Sequence, residues 1–506
     1  MRLKQVYIFL IGLFLLSVLV RVPNLNRPLS KHHEYCTALS MVIFESWSEM
    51  GIANANYNPV QLYPEGFTQT FYQNADHPLA DERGNLYYLS HPPLAFYIPY
   101  FLLNGFGISV IGLQVINLFF HGLSAIFIYL IALRLFGKQD DKVFGAGFVA
   151  AGVYLLSPAT LWFQGNIFFA DLFSVNCFIA CLYFTLNLCL SGKANSKKSM
   201  LAFAVSLFLF CYADWLGFLF AFIVFLFAFA KAFVEKFYIS IALTSVVVVA
   251  VAGLLIGWQY SQVNGLEAFL ETSLFRWQER GMSMGNDQSV TSTVIKTLKK
   301  FQRIGIHYLT SYLPVLTLIA GLIVARIIIF KNREKAGASN IRLLFLLGLV
   351  PIILHHFIFL KYSAFHDFSV LKSAPFIALF TAFISVPVFR LSNKLISWAV
   401  FGLTAIMCIN QYYYINRPGQ ISWKGHRYDA MKTIGLAIKE QSNQDEVIFL
   451  NGIKGPQIIY YAKRNIFYAP DTTVAKQVLK TLDAKKGRLF SVKNRQIETI
   501  NQIFNE

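Results

Sequence analysis

His91–Gly107 reads HPPLAFYIPYFLLNGFG, a histidine and two prolines followed by an almost unbroken apolar run. Pro92 and Pro93 fix the backbone of a turn and lack amide hydrogens, which suits the entry to a helix, so the segment reads as a turn feeding an apolar helix. Outward from it in both directions, apolar runs of roughly 18–25 residues recur as far as Tyr414, each long enough to cross about 30 Å of hydrocarbon. Of the 506 residues, 56% are hydrophobic, 16% aromatic and only 14% charged, which excludes an ordinary soluble domain. The chain reads as an all-α polytopic membrane protein of about eleven spans, near residues 5–21, 109–136, 143–160, 163–190, 199–213, 216–234, 237–258, 306–330, 341–360, 369–389 and 394–414.

The N-terminal MRLKQVYIFLIGLFLLSVLV has the basic start and apolar centre of a signal peptide, but no convincing small-residue cleavage site follows. It is read as a retained first span. The formal charge of +18 does not point to nucleic acid, because Lys138/Lys142, Lys193/Lys197/Lys198, Lys231/Lys236, Lys331/Arg333/Lys335 and Arg390/Lys394 sit in short loops between apolar runs. With a cytoplasmic N-terminus these loops all fall on the cytoplasmic side, as a positive-inside bias requires. Five of the six cysteines lie inside apolar runs, so they read as packing residues and not as a disulfide framework.

Three longer polar regions then share the outer side: 22–108, 259–305 and the tail from 415. In the first, EYCTALSMVIFESWSEMG places Tyr35, Leu39, Val42, Ile43, Trp47 and Met50 on one stripe and stops at Gly51, which predicts a helix lying on the membrane surface. The tail alternates helical stretches with the strand-like EVIFLN, NIFYAP and GRLFSV, predicting a small extracytoplasmic α/β domain over 415–506 beside a membrane module over 1–414.

Ionisable residues are expensive at membrane depth and mark cavities or partners when they occur. Here His32, His33, Glu34, His91, Asp214, His355, His356, Lys361, His366 and Asp367 collect at the outer ends of spans, implying a polar cavity there. Glu34 or His33 suits a general base, since a carboxylate near a low-dielectric boundary is shifted toward the range that accepts a hydroxyl proton. His32–Glu34 also reads as a polar cap on a surface helix. No metal is expected, because adjacent histidines diverge on a helix and no ligand spacing such as HExxH is present, and nothing calls for a nucleotide or other cofactor. His355/His356 read as packing groups, Asp171 as a residue meeting a buried polar partner, and Asp214 as either a turn cap or, with Trp215, a sugar contact.

HPPLAFYIPYFLLNGFG followed by ALRLFG resembles a stretch of the GT-C superfamily of polyprenyl-phosphate-sugar glycosyltransferases, which includes aminoarabinose transferases acting on lipid A and protein O-mannosyltransferases. KHHEYCTAL occupies the place of that superfamily's first-loop acidic pair. SPATLWFQGNIFFADLF, YADWLGFLF, KYSAFHDFSVLKSAPFIAL and GPQIIYYAKRNIFY resemble its further motifs in the same order. The resemblance implies an active site on the extracytoplasmic face of an inner membrane, with a periplasmic tail. A polyprenyl-phosphate-linked sugar would reach it from the bilayer and a lipid, glycan or protein acceptor from outside, with inversion at the anomeric carbon. It implies Glu34, paired with His33, as base, although His33 stands where the superfamily has aspartate. His91 and Lys361 would meet the phosphate. His366 and Asp367 would orient one another or the sugar, with His32 and Tyr362 beside the substrate. Arg276 and Arg280 are further phosphate contacts or a solvated basic loop. A lipid-linked-substrate transporter or flippase, and a non-catalytic envelope scaffold, are the competing classes; the one-sided charge and the lack of clear inverted repeats weigh against transport.

Overall fold

The computed structural model describes residues 3–505 except 31, 76, 137–142, 192–196, 282–289, 330–337, 392–393, 416–429 and 495. The first span, α1 (Leu3–Arg21), leads through a strap to α2 (Glu34–Met50), α3 (Gly66–Asn74) and α4 (Leu94–Phe106). The bundle continues with α5 (Val110–Phe136), α6 (Val143–Leu156), the short α7 (Pro158–Phe163), α8 (Ala170–Ser191), α9 (Lys197–Ala213), α10 (Trp215–Ala232), α11 (Phe237–Arg280) and α12 (Val290–Ile329). It closes with α13 (Ala338–Leu344), α14 (Val350–Ile358), α15 (Leu360–Phe365), a 3-10 turn over Asp367–Ser373, α16 (Ala374–Leu391) and α17 (Lys394–Ile415). Neighbours in sequence pack as pairs, α5 on α6, α8 on α9 and α10 on α11, while α16 closes back onto α6.

Among the described residues nine helices are long and apolar enough to cross a membrane. Each of the eleven expected spans contains a helix, but α6 and α9, at 14 and 17 residues, fall short of that length. Many of the basic loop residues that set the topology, Lys138, Lys142, Lys193, Lys331, Arg333 and Lys335, lie outside the described residues. Three sequence expectations change. The span expected from 163 begins only at Ala170, because 164–169 form a buried outer linker that brings Asp171 into the first turn of α8. The polar region expected over 259–305 is helical in its described part up to Arg280: α11 breaks at Asn264 and Gly265, where Gly265 takes φ 82°, and then resumes. The helix expected on the membrane surface forms as α2 and ends at Gly51, but Met41, Phe44 and Cys36, off the expected stripe, are as buried as Val42 and Trp47. It is covered on more than one side, since α4 and the tail both pack on it.

The tail contains α18 (Ala430–Gln441), β1 (Val447–Asn451), α19 (Pro456–Ala462), β2 (Phe467–Tyr468), α20 (Thr472–Thr481), β3 (Lys486–Lys493) and β4 (Gln496–Phe504). Its sheet has the order β2-β1-β3-β4, parallel on both sides of β1 and antiparallel between β3 and β4. β4 escaped the sequence reading because an exposed edge strand carries no continuous apolar run. One sheet face packs on α18 and α19; the other packs on α20 and on Phe67 and Phe71 of α3. The polar region that carries α3 therefore completes the core of the tail.

Candidate active site

The strap between α1 and α2 is fixed from its first residue. Arg21 is fully buried, and its guanidinium donates to the carbonyls of Leu161 (2.8 Å) and Thr160 (3.0 Å) in α7. Asn24 donates to the Tyr412 hydroxyl (2.8 Å), and the Asn26 N–H to Gln114 Oε1 (2.9 Å). His33 ends the strap at φ 58°, a left-handed conformation that costs a non-glycine residue on the order of 1 kcal/mol or more and persists only where the surroundings enforce it.

That backbone turn overturns the expectation that adjacent histidines diverge. Both precede the helix, their rings lie 3.7 Å apart, and both aim Nε2 at one carboxylate. His32 Nε2 is 2.9 and 3.0 Å from the two oxygens of Asp367, and His33 Nε2 is 2.8 Å from Asp367 Oδ1. With Nε2 so engaged, His33 Nδ1 is buried and meets no hydrogen-bond partner. Asp367 comes from the 3-10 turn before α16, more than 300 residues away, so no local spacing announced it. Glu34, by contrast, is clamped: Arg27 forms an ion pair with it, and the Ser30 N–H donates to Glu34 Oε2 at 2.8 Å.

A second cluster lies beside the first. His91 follows Ser90, its carbonyl accepts from Tyr260 Oη (2.7 Å), and its ring stacks on Tyr88. His91 Nε2 is 3.1 Å from Asp171 Oδ2 and Nδ1 is 3.5 Å from Asp214 Oδ2; these are charge contacts, not aligned hydrogen bonds. Burial works against a charge on His91, but Asp171 and Asp214 outweigh it, so its pKa is raised above the ordinary imidazole value. Asp214 caps α10 by accepting from the Leu216 N–H (2.8 Å). At the centre sits Lys372, fully buried, with Nζ 3.0 Å from Asp171, 3.3 Å from Asp214 and 2.9 Å from His355 Nε2. Tyr362 joins the clusters: its hydroxyl donates to Asp171 Oδ2 (2.7 Å) and its ring lies 4.6 Å from that of His366. Arg280, at the end of α11, stands over the Tyr362 ring at 5.3 Å, donates to the Ser90 carbonyl and lies within the field of Tyr88. His366, 6.0 Å from the His33 ring, is pushed down to about 4, by burial first and by His33 second, and is neutral at physiological pH.

The geometry thus brings together His32, His33, His91, Asp214, Tyr362, His366, Asp367 and Arg280. It does not bring Arg276, which pairs at the surface with Glu279 (2.8 Å), or Lys361, which is within electrostatic range of Lys300 of α12. The indole N–H of Trp215 donates to the Ser90 carbonyl (3.0 Å) and so is not available to a sugar hydroxyl. His356 is structural, between Ser363 and Tyr308. Sequence reasoning missed Tyr88 and Lys372, which lies three residues inside the span expected from 369; the one signal for Lys372 was a lone cation within that span.

Among the described residues, two triads have the residue types and spacing of metal ligands, His32/His33/Asp367 and His91/Asp171/Asp214. Lys372 already supplies the second with a cation. In the first, the outer nitrogen of His33 lacks the partner that an imidazole bound to a metal nearly always has. The donor sets therefore fit a proton-handling site better than a metal centre.

No family model and no curated protein sequence matches the chain. Solved structures do. The archaeal oligosaccharyltransferase AglB from Archaeoglobus fulgidus, in complex with an inhibitory peptide and a dolichol-phosphate, superposes with a TM-score of 0.61 at 13% identity over 97% of this chain and 70% of that one. ArnT from Cupriavidus metallidurans bound to undecaprenyl phosphate gives a TM-score of 0.55 at 12% identity over 95% of this chain and 92% of that one. Apo ArnT gives 0.58 at 12% identity over 96% and 93%. The spans, the outer loops and the tail are thus arranged as in these enzymes, and the chain has the fold of the GT-C membrane glycosyltransferases.

Proposed function

We propose that the protein is a glycosyltransferase that moves a sugar from a polyprenyl-phosphate carrier to a hydroxyl acceptor at the extracytoplasmic face of an inner membrane, with its N-terminus cytoplasmic and its tail periplasmic. The observation that supports this reading is a carboxylate-oriented histidine with a free nitrogen, His33, linked through the His366 ring to the phenolic Tyr362 and the cationic Arg280 above it. In the reaction, the acceptor oxygen attacks the anomeric carbon as the bond to the carrier phosphate oxygen breaks. The hydroxyl proton passes to His33 Nδ1, and Asp367, bonded to Nε2, stabilises the imidazolium that forms. The departing phosphate keeps the bonding electrons and is stabilised by Arg280 and His91, with Tyr88 as a hydroxyl donor and Tyr362 held by Asp171 beneath Arg280. Attack opposite the leaving group inverts the centre. Glu34 holds the strap through Arg27 and is not the proton acceptor.

The test is acceptor-dependent sugar release from a panel of radiolabelled polyprenyl-phosphate sugars by the purified protein in nanodiscs. Release with any member supports the reading. Binding without release by a broad panel of donors and acceptors would favour the scaffold, and movement of the carrier across the bilayer without transfer would favour the flippase.

Two further outcomes follow. Because Asp171 and Asp214 raise its pKa, His91 keeps its proton to a higher pH than an ordinary imidazole and loses it as the pH rises through that raised value. Carrier phosphate affinity should therefore fall as pH rises above neutral, and His91→Lys, with an ordinary lysine pKa of about 10.4, should flatten that profile between about pH 6 and 9. A wild-type profile without an alkaline fall would remove His91 from the phosphate site. Transfer should also persist in excess EDTA. Loss restored by a divalent ion would instead make His32, His33 and Asp367 a metal centre.

A further inference from the structure

The motif GPQIIYYAKRNIFY lies in the tail, remote in sequence from either cluster, yet its residues reach the first outer loop one after another. α19 ends at Lys463, whose φ of 53° turns the chain sharply back toward α2. Lys463 pairs with Glu45 of α2, and Arg464 Nε donates to Glu65 Oε1 at 2.6 Å. Asn465 accepts from the Tyr63 N–H (2.9 Å) and donates to the Tyr63 carbonyl (2.7 Å), the exchange a strand partner would make. Phe467 meets Phe71 edge to face at 5.0 Å. The tail is thereby docked rigidly on the loop. From that docked position the Tyr461 hydroxyl accepts the Leu29 N–H at 2.7 Å, three residues before His32.

This contact bears on the strap at the stretch where it must hold an unfavourable conformation. Upstream, Asn24 and Asn26 are tied to α17 and α5; downstream, Ser30 is tied to Glu34. Between them stands Tyr461. Without its oxygen the Leu29 N–H would lose a partner worth a buried hydrogen bond, and the residues leading to the left-handed His33 would be freer to relax.

We propose that Tyr461 is a positioning residue: the tail domain holds the strap through it, and so sets the register of His32 and His33 against Asp367. The role in catalysis rests on the transferase reading above, whereas the effect on the strap does not, so the two are measured separately. The full-length protein and Tyr461→Phe are compared in nanodiscs by hydrogen exchange and by melting temperature, and then by carrier binding and transfer. Amide exchange over 29–33 is expected to speed up about tenfold in the variant, with the spans and the tail unchanged, as loss of one such bond implies. Transfer should fall by about tenfold with carrier affinity unaltered, and Tyr461→Phe should add nothing in a His33→Ala background, since a positioning residue acts only through the group it positions.

Unchanged exchange over 29–33 overturns the proposal whatever the activity. Faster exchange with equal losses of transfer in both backgrounds also overturns it, by making the contact merely structural. If no donor is transferred even by the wild type, faster exchange confined to the strap still supports the positioning contact and the failure belongs to the transferase reading.

Discussion

His33→Ala should lower sugar transfer by about 10²–10⁴-fold, the range of a general base, while binding of the polyprenyl-phosphate donor changes by less than about twofold. The separation follows from the geometry. The proposed donor contacts, Arg280, His91 and Tyr88, do not touch His33, whereas His33 meets Asp367 alone among the groups that could orient its ring through Nε2. Asp367→Asn preserves size and should retain some activity. It removes the charge that stabilises the imidazolium, so the loss should fall on the rate and not on donor affinity. Glu34→Gln breaks the Arg27 ion pair and should disturb the strap without removing the proton acceptor. The measurement is single-turnover transfer with donor saturating. A rate in His33→Ala close to wild type, together with a loss of the size above in Glu34→Gln, would return the base to Glu34.

Much of this was readable in the sequence, for a physical reason: membrane spans announce themselves by apolar length, and ionisable residues near them are too costly to be there by chance. His33, His91, Asp214, His366 and Asp367 were found in that way. What could not be read was pairing. His32 and His33 seemed to diverge because the helix was assumed to include them, and only the left-handed turn at His33 and the distant Asp367 bring the rings together. Lys361 and Lys372 have the same side chain within one short segment. Which of them is buried among carboxylates depends on the 3-10 turn that rotates Lys372 inward, and hydropathy does not register a rotation. Tail residues such as Tyr461 were visible as a motif, but their target on the first loop was not.

Lys372→Met should produce the largest loss of stability. The ammonium sits among two carboxylates and His355, all buried, and methionine retains the apolar stem while deleting the charge. Asp171 and Asp214 would then face one another with only His91 between them. Breaking a buried ion pair by removing one partner costs about 3–5 kcal/mol, because the remaining charge is left without compensation. Carrier binding should fail with it, since Asp171 also accepts from Tyr362 and holds His91 at the proposed phosphate site. Lys372→Arg should rescue little: a planar guanidinium does not fit a space shaped round a compact ammonium with three partners. Lys372→Met/Asp214→Asn should recover part of the stability by removing one uncompensated carboxylate, without recovering carrier binding if that binding needs His91 charged. The check is unfolding of each variant in the same detergent, with carrier binding measured on the folded fraction. A single variant as stable as wild type would mean that Asp171 and Asp214 are not both charged in the folded protein, and the cation at His91 would then have to be explained by one carboxylate alone.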